Sequence, residues 1–207
     1  MNYRQATLND LEAVLNLSAE AFFQDPLYTI VKPYCKSEES YRKFVLISQQ
    51  AFIQSCLEHS ICFVGMDDAQ IVAFSILERP NRKKLNFWQY IKHGGWRLLT
   101  LISLPKLIAY MNLLDQVMQP CEQLEDCWYL AHLAINPAVQ GSGLGTKMLT
   151  NCIFPIMKQS QSSKLSLVTH KEINVTFYQR SGFKLFDHRK LNWNDAALDN
   201  WSLYLEG

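Results

Sequence analysis

Ile135 to Leu149 read INPAVQGSGLGTKML, with Gly141, Gly143 and Gly145 at alternate positions between a proline turn and an amphipathic run. Glycine loses more conformational freedom on folding than any other residue, so three so close together imply a requirement on the backbone. The β-rich run CWYLAHLAINP (Cys127 to Pro137) precedes them. A helical pattern from about Leu144 to Lys158 follows, predicted to bend at Pro155. N–H groups at a helix start have no intrahelical partner and lie at the positive end of the helix dipole. With no Cβ in the way, a phosphate can approach them closely. The stretch therefore reads as a cradle for a phosphate or pyrophosphate.

Two common cradles do not fit it. The dinucleotide fingerprint G-x-G-x-x-G needs a third glycine where Thr146 stands, and an acid about 20 residues on. No Asp or Glu occurs between Cys127 and Lys171. A P-loop needs glycine where Gln140 stands and lysine where Thr146 stands. The acid-free stretch does contain Lys147, Lys158, Lys164 and Lys171, which give the loop a positive surrounding.

Composition narrows the rest. The 207 residues suit one domain, 1–207, and 48% hydrophobic content supplies a sizeable core. A formal charge of +1 gives no general attraction to nucleic acid or anionic membrane, so neither is expected as a partner. Cysteines 35, 56, 62, 121, 127 and 152 form no C-x-x-C pair and have no histidines at zinc spacing, so no metal is expected. The polar, acidic start MNYRQATLNDLEAVLNL is unlike a signal peptide, and a reduced, cytoplasmic protein is expected. Arg97, Pro105 and Lys106 interrupt the apolar stretch 94–114, which falls short of the ~18 apolar residues of a membrane span.

Periodicity predicts a strand at Tyr3–Thr7, capped by Thr7 or Asn9 into a helix over Asp10–Phe23, and a second helix over Ser37–Glu58. Ile61–Met66 and Gln70–Glu78 flank Asp67 and Asp68 as a hairpin. Residues 79–126 read as a helical insertion rich in aromatics: Phe87, Trp88, Tyr90, Trp96 and Tyr110. After the glycines come a strand at Lys164–Thr169, a helix at 172–182 ending on Gly182, and two closing strands. The order β-α-α-β-β, insertion, β-α-β-α-β-β is that of an α/β fold with a mixed sheet.

LAINPAVQGSGLGTKML resembles the acetyl-CoA-binding signature of the GCN5-related N-acetyltransferases (the GNAT superfamily): a strand, Q/R-x-x-G-x-G/A, then a helix. NVTFYQRSGFKLF (Asn174 to Phe186) resembles the same family's second signature, and the two are correctly ordered and spaced. The overall layout is most similar to the branch that includes puromycin N-acetyltransferase. The resemblance implies an α/β GNAT fold: a mixed, mostly antiparallel sheet of about six to seven strands flanked by helices, with 79–126 inserted between the third and fourth. It implies acetyl-CoA as cosubstrate and direct attack on it by an amine of a small molecule or peptide. A catalytically inactive CoA-binding sensor or interaction module is the alternative.

Carried over by position, backbone groups of Leu133, Ala134 and Ile135 hold the acetyl and pantetheine end. Gln140 opens the cradle, and the N–H groups of Gly141, Ser142, Gly143, Leu144, Gly145 and Thr146 hold the pyrophosphate. Tyr178 is the expected general acid toward the leaving thiolate and a cofactor contact. Asn174, four residues earlier on the same helical face, is a further cofactor contact; many family members carry that asparagine where this chain has Lys171. His132 is the candidate general base because an imidazole titrates near neutrality, with His170 and Glu78 as other candidates. The insertion is expected near the acceptor, as an aromatic lid, as ordinary helix packing or as a homodimer surface.

Overall fold

The computed structural model describes residues 1–80, 87–160, 162 and 164–206. Asn81 to Asn86, predicted as part of the insertion, lie outside the described residues, as do the side chains of Phe87 and Trp88. Seven strands form one sheet: β1 (Asn2–Gln5), β2 (Ile61–Asp67), β3 (Gln70–Glu78), β4 (Cys127–Ile135), β5 (Lys164–Thr169), β6 (Lys184–Trp193) and β7 (Ala196–Glu206). Their order is β1-β2-β3-β4-β5-β7-β6, and every neighbouring pair is antiparallel except β4–β5. This is the expected mixed, mostly antiparallel sheet, with the insertion between its third and fourth strands.

Helices cover both faces. On one face lie α1 (Leu11–Phe22), α2 (Pro26–Thr29), α3 (Glu38–His59), α4 (Phe87–Lys92) and α5 (Leu104–Glu122). They bury two apolar clusters. Val14, Leu17 and Ile53 pack over Val64, Phe74 and Ala134, and Phe44, Tyr110 and Leu113 pack over Leu191, Trp193 and Leu198. On the other face, α6 (Leu144–Met148), α7 (Phe154–Gln159) and α8 (Glu172–Arg180) bury Met148, Ile153, Val175 and Tyr178 with Trp128, Leu130, Leu165 and Leu167. Alternation along β2 sorts Cys62 and Val64 to the first face and Ile61 and Phe63 to the second.

The boundaries follow local chemistry. The Ser37 hydroxyl accepts from the Ser40 N–H at 3.1 Å and starts α3. Gly182, at φ +96°, ends α8: its N–H donates to Gln179 and that of Phe183 to Tyr178, both at 3.0 Å. The bend predicted at Pro155 takes another form. A π turn, Leu149–Ile153, separates α6 from α7, so the helix widens just ahead of a residue with no N–H to donate and a ring that crowds the preceding turn.

The described part of the insertion is largely helical, and its aromatics divide. Tyr110 is buried against Phe44, ring centres 5.4 Å apart, so it is a core residue rather than part of a lid. Trp96 is 55% exposed. α5 lies across β5, β6 and β7 on the face of α1–α3. Among the described residues no helix is long and apolar enough to cross a membrane.

Candidate functional site

β4 and β5 run parallel but pair only over Cys127–Tyr129 and Lys164–Ser166. β4 continues for six more residues with no strand partner on that side among the described residues. Against β3 it is paired from Tyr129 to Ile135, with one irregularity: the register passes from Ile76↔His132 to Leu77↔Leu130, leaving Ala131 as an extra residue. The two strands therefore part part-way along the sheet.

Which backbone groups face the gap follows from the antiparallel ladder. The Asn136 N–H donates to the Val72 carbonyl at 2.9 Å, so Asn136 points toward β3. Residues alternate in the direction of their polar groups, so Ala134 also points toward β3, while Leu133 and Ile135 turn their N–H and C=O toward the gap. This corrects one expectation: the Ala134 backbone is engaged with Phe74 and is not offered to a ligand. Leu133 and Ile135 face the gap. The Gln140 side chain donates to the Ile135 carbonyl at 3.1 Å and fastens the loop back onto the strand end.

In the glycine loop, Gly141 and Gly143 both sit at φ +80°, where L side chains are strained. A Cβ on either would meet nothing within 4 Å, so the space they leave is open. Gly145 differs: its Cβ would lie 3.0 Å from Phe177 Cζ, and its role is to let α6 close on α8. The N–H groups of Gly141, Ser142, Gly143, Leu144, Gly145 and Thr146 donate to no other group among the described residues. The Ser142 hydroxyl donates to the Val139 carbonyl at 2.6 Å, holding the turn from within. Beside these donors runs a groove of about 490 Å³ lined by Thr146, Ile173, Thr176, Phe177, Arg180 and Ser181. Arg180 was not anticipated from the sequence; its only signal was its place in the last turn of a helix that packs beside the loop.

Tyr178 is buried between Phe177 and Phe183, ring centres 4.9 and 5.5 Å away. Burial raises its phenol well above the ordinary tyrosine range, and its hydroxyl has no hydrogen-bond partner among the described residues. Asn174 donates through Nδ2 to Thr169 Oγ1 at 3.0 Å and ties α8 to the end of β5. Its amide N–H is thus engaged within the chain.

His132 points away from this groove, into the α1 face. Its Nε2 lies 3.0 Å from Ser18 Oγ and its ring stacks on Phe22 with centres 4.5 Å apart. Burial pushes its pKa down to about 3. A site that so disfavours the imidazolium makes a poor proton acceptor, and the structure gives His132 a packing role instead of the predicted base. Among the described residues no group of acidic, histidine and cysteine side chains could hold a metal ion.

Residues 107–185, which contain the split strand, the glycine loop and α8, match the family model of the acetyltransferase (GNAT) domain. That stretch of the chain is similar to the GNAT acetyltransferase domain. The chain also shares its whole fold with solved acetyltransferases. A Corynebacterium glutamicum protein described as histone acetyltransferase HPA2 and related acetyltransferase aligns at TM-score 0.68 and 15% identity, over 100% of this chain and 96% of the other. Drosophila melanogaster polyamine N-acetyltransferase, which forms N-acetylagmatine, aligns at TM-score 0.59 and 15% identity over 100% and 99%. The PaiA N-acetyltransferase of Thermoplasma acidophilum, solved in complex with coenzyme A, aligns at 0.58 and 14% over 100% and 98%. No curated protein matches the sequence.

Proposed function

We propose that this GNAT protein moves an acetyl group from acetyl-CoA to the amine of a small molecule or peptide. The observation that carries the reading is the run of six backbone N–H groups, Gly141 to Thr146, without partners among the described residues and beside a groove that Arg180 lines. Such donors suit a pyrophosphate, and Lys147 and Arg180 add charge at its two sides. The open edge at Leu133 and Ile135 offers amide-pairing groups to an extended pantetheine arm. The cosubstrate supplies the activated thioester; the chain supplies position, dipoles and a proton donor.

Tyr178 keeps its proton throughout the neutral range, because burial disfavours the phenolate. It serves as a hydrogen-bond donor to the leaving sulfur. Direct attack by the amine is favoured over an acyl-enzyme, since a nucleophilic cysteine must be a thiolate. Cys152, in the α6–α8 core, is raised to about 11 by burial, and Cys62 on the other face to about 12. Six free thiols, five of them buried, fit a reducing compartment such as the cytoplasm.

The test is calorimetric titration with CoA, then acetyl-CoA turnover on agmatine, spermidine, tyramine and a peptide with a free N-terminal alanine. Binding together with acetylation of at least one amine is expected. Binding with no acetylation would favour the sensor reading, and absence of binding would remove both.

A further inference from the structure

The face opposite the glycine loop carries a polar pair that the donor side does not use. His170, the residue after β5, has its Nδ1 3.4 Å from Asp25 Oδ1, within ion-pair distance, with the two side chains only 7% and 8% exposed. Its other ring nitrogen, Nε2, is buried and has no partner among the described residues. A buried polar atom without a hydrogen bond costs free energy, and in native proteins its partner is commonly a water or a ligand. Asp25 is fixed in place, since the same Oδ1 accepts the Leu27 N–H at 3.0 Å and caps α2.

The position of the pair gives it meaning. β5 ends at Thr169, beyond the point where β4 and β5 separate, so His170 stands at the mouth of the gap. Asn174 grips Thr169 on the α8 side, whereas His170 meets Asp25 on the α2 side. Tyr178 and His170 thus lie on opposite faces of the sheet, on the helix after β5 and at the end of β5 itself. The other titratable groups that sense the Asp25 charge are Tyr28, Tyr41, Tyr110 and His132. Burial holds the three phenols protonated and His132 unprotonated, which leaves His170 as the base in contact with that carboxylate.

We infer that His170 Nε2 accepts the proton of the incoming ammonium, with Asp25 as the positioning residue that holds Nδ1 and stabilises the imidazolium. This rests on the acetyl-transfer reading. The acceptor R–NH3+ gives one proton to Nε2, and its freed lone pair forms the C–N bond. The C–S bond breaks, the nitrogen loses a second proton as the amide forms, and the thiolate gains one. The net change is R–NH3+ plus acetyl-CoA to the acetamide, CoA–SH and one proton, which His170 passes to solvent. The structure thereby assigns the acceptor to the alkylammonium class, entering from the α2 face.

Two acceptors separate this role from a structural one: the best amine of the panel above, protonated near neutral pH, and hydroxylamine, which is not. His170→Gln should lower kcat/KM for the alkylamine about 100-fold, while hydroxylamine changes only about threefold and CoA affinity stays the same. Asp25→Asn keeps the α2 cap and removes the charge, and should cost the alkylamine about 10-fold with hydroxylamine again spared. It also serves if His170→Gln fails to fold. Equal losses for both acceptors, or no loss for either, would overturn the inference while leaving acetyl transfer standing. A wild-type protein that binds CoA but acetylates neither acceptor would overturn both.

Discussion

The two faces of the sheet meet at one split and offer a ligand different kinds of group. On the α6–α8 face the available groups are backbone donors, Gly141 to Thr146 and the open edge at Leu133 and Ile135, set by φ angles and ladder alternation. On the α1–α5 face they are side chains, Asp25 and His170, that chain folding brings together from distant positions. Backbone recognition tolerates change in most side chains but not in the glycines that shape the loop. Side-chain recognition is sensitive at each residue and to every helix that positions it. A shared cosubstrate suits the first and an individual acceptor suits the second.

That contrast can be broken most sharply at Gly143. Valine there must adopt φ +80°, a strain of about 1–2 kcal/mol, with its side chain in the space left for the ligand. CoA affinity should fall about 100-fold by calorimetry while the thermal midpoint drops by only a few degrees; unchanged affinity would dismiss the loop as the donor site. Tyr178→Phe comes next. Loss of the hydroxyl should lower kcat about 10- to 100-fold with KM for acetyl-CoA unchanged, and a proportional rise in KM instead would make Tyr178 a packing residue alone.

The α1 face is probed by pH. The His132 pKa falls from 6.5 to about 3 on folding, so its contribution to stability is complete above 6.5 and declines as pH falls toward 3. In that window the unfolded chain takes up the proton first, at a cost to stability of up to about 1.4 kcal/mol per pH unit. Urea unfolding at several pH values should show this slope, and His132→Asn should flatten it. The smallest effect is expected at Gly145→Ala, where Phe177 has to yield a few tenths of an ångström against the helix preference of alanine. Stability should stay within about 1 kcal/mol and CoA affinity within about threefold. Adjacent glycines of one motif would then fail in different ways.

Much of the donor face was legible in the sequence. The alternation of β4, the glycine spacing and the helical pattern after it are local signals, and the strand, the glycine loop and the helix follow one another in that order. The direction of the Ala134 amide depends on which residues of β3 it pairs with, and spacing carries no register. The same holds for His132. Its intrinsic pKa suits a base, but the face on which it lies follows the extra residue at Ala131. Tyr110 and Trp96 read alike as insertion aromatics, and only packing divided them into core and surface.

The sequence by itself determined the order of elements, the glycine loop between β4 and α6 and the resemblance to the GNAT signatures, because these rest on residues close in the chain. The tertiary structure decided the rest. It showed where β4 and β5 part, which edge of β4 stays open, that Gly145 serves helix packing while Gly141 and Gly143 serve the loop, and that Asp25 meets His170. Each of these depends on register or on burial between distant segments, and neither is a property of any short stretch of chain.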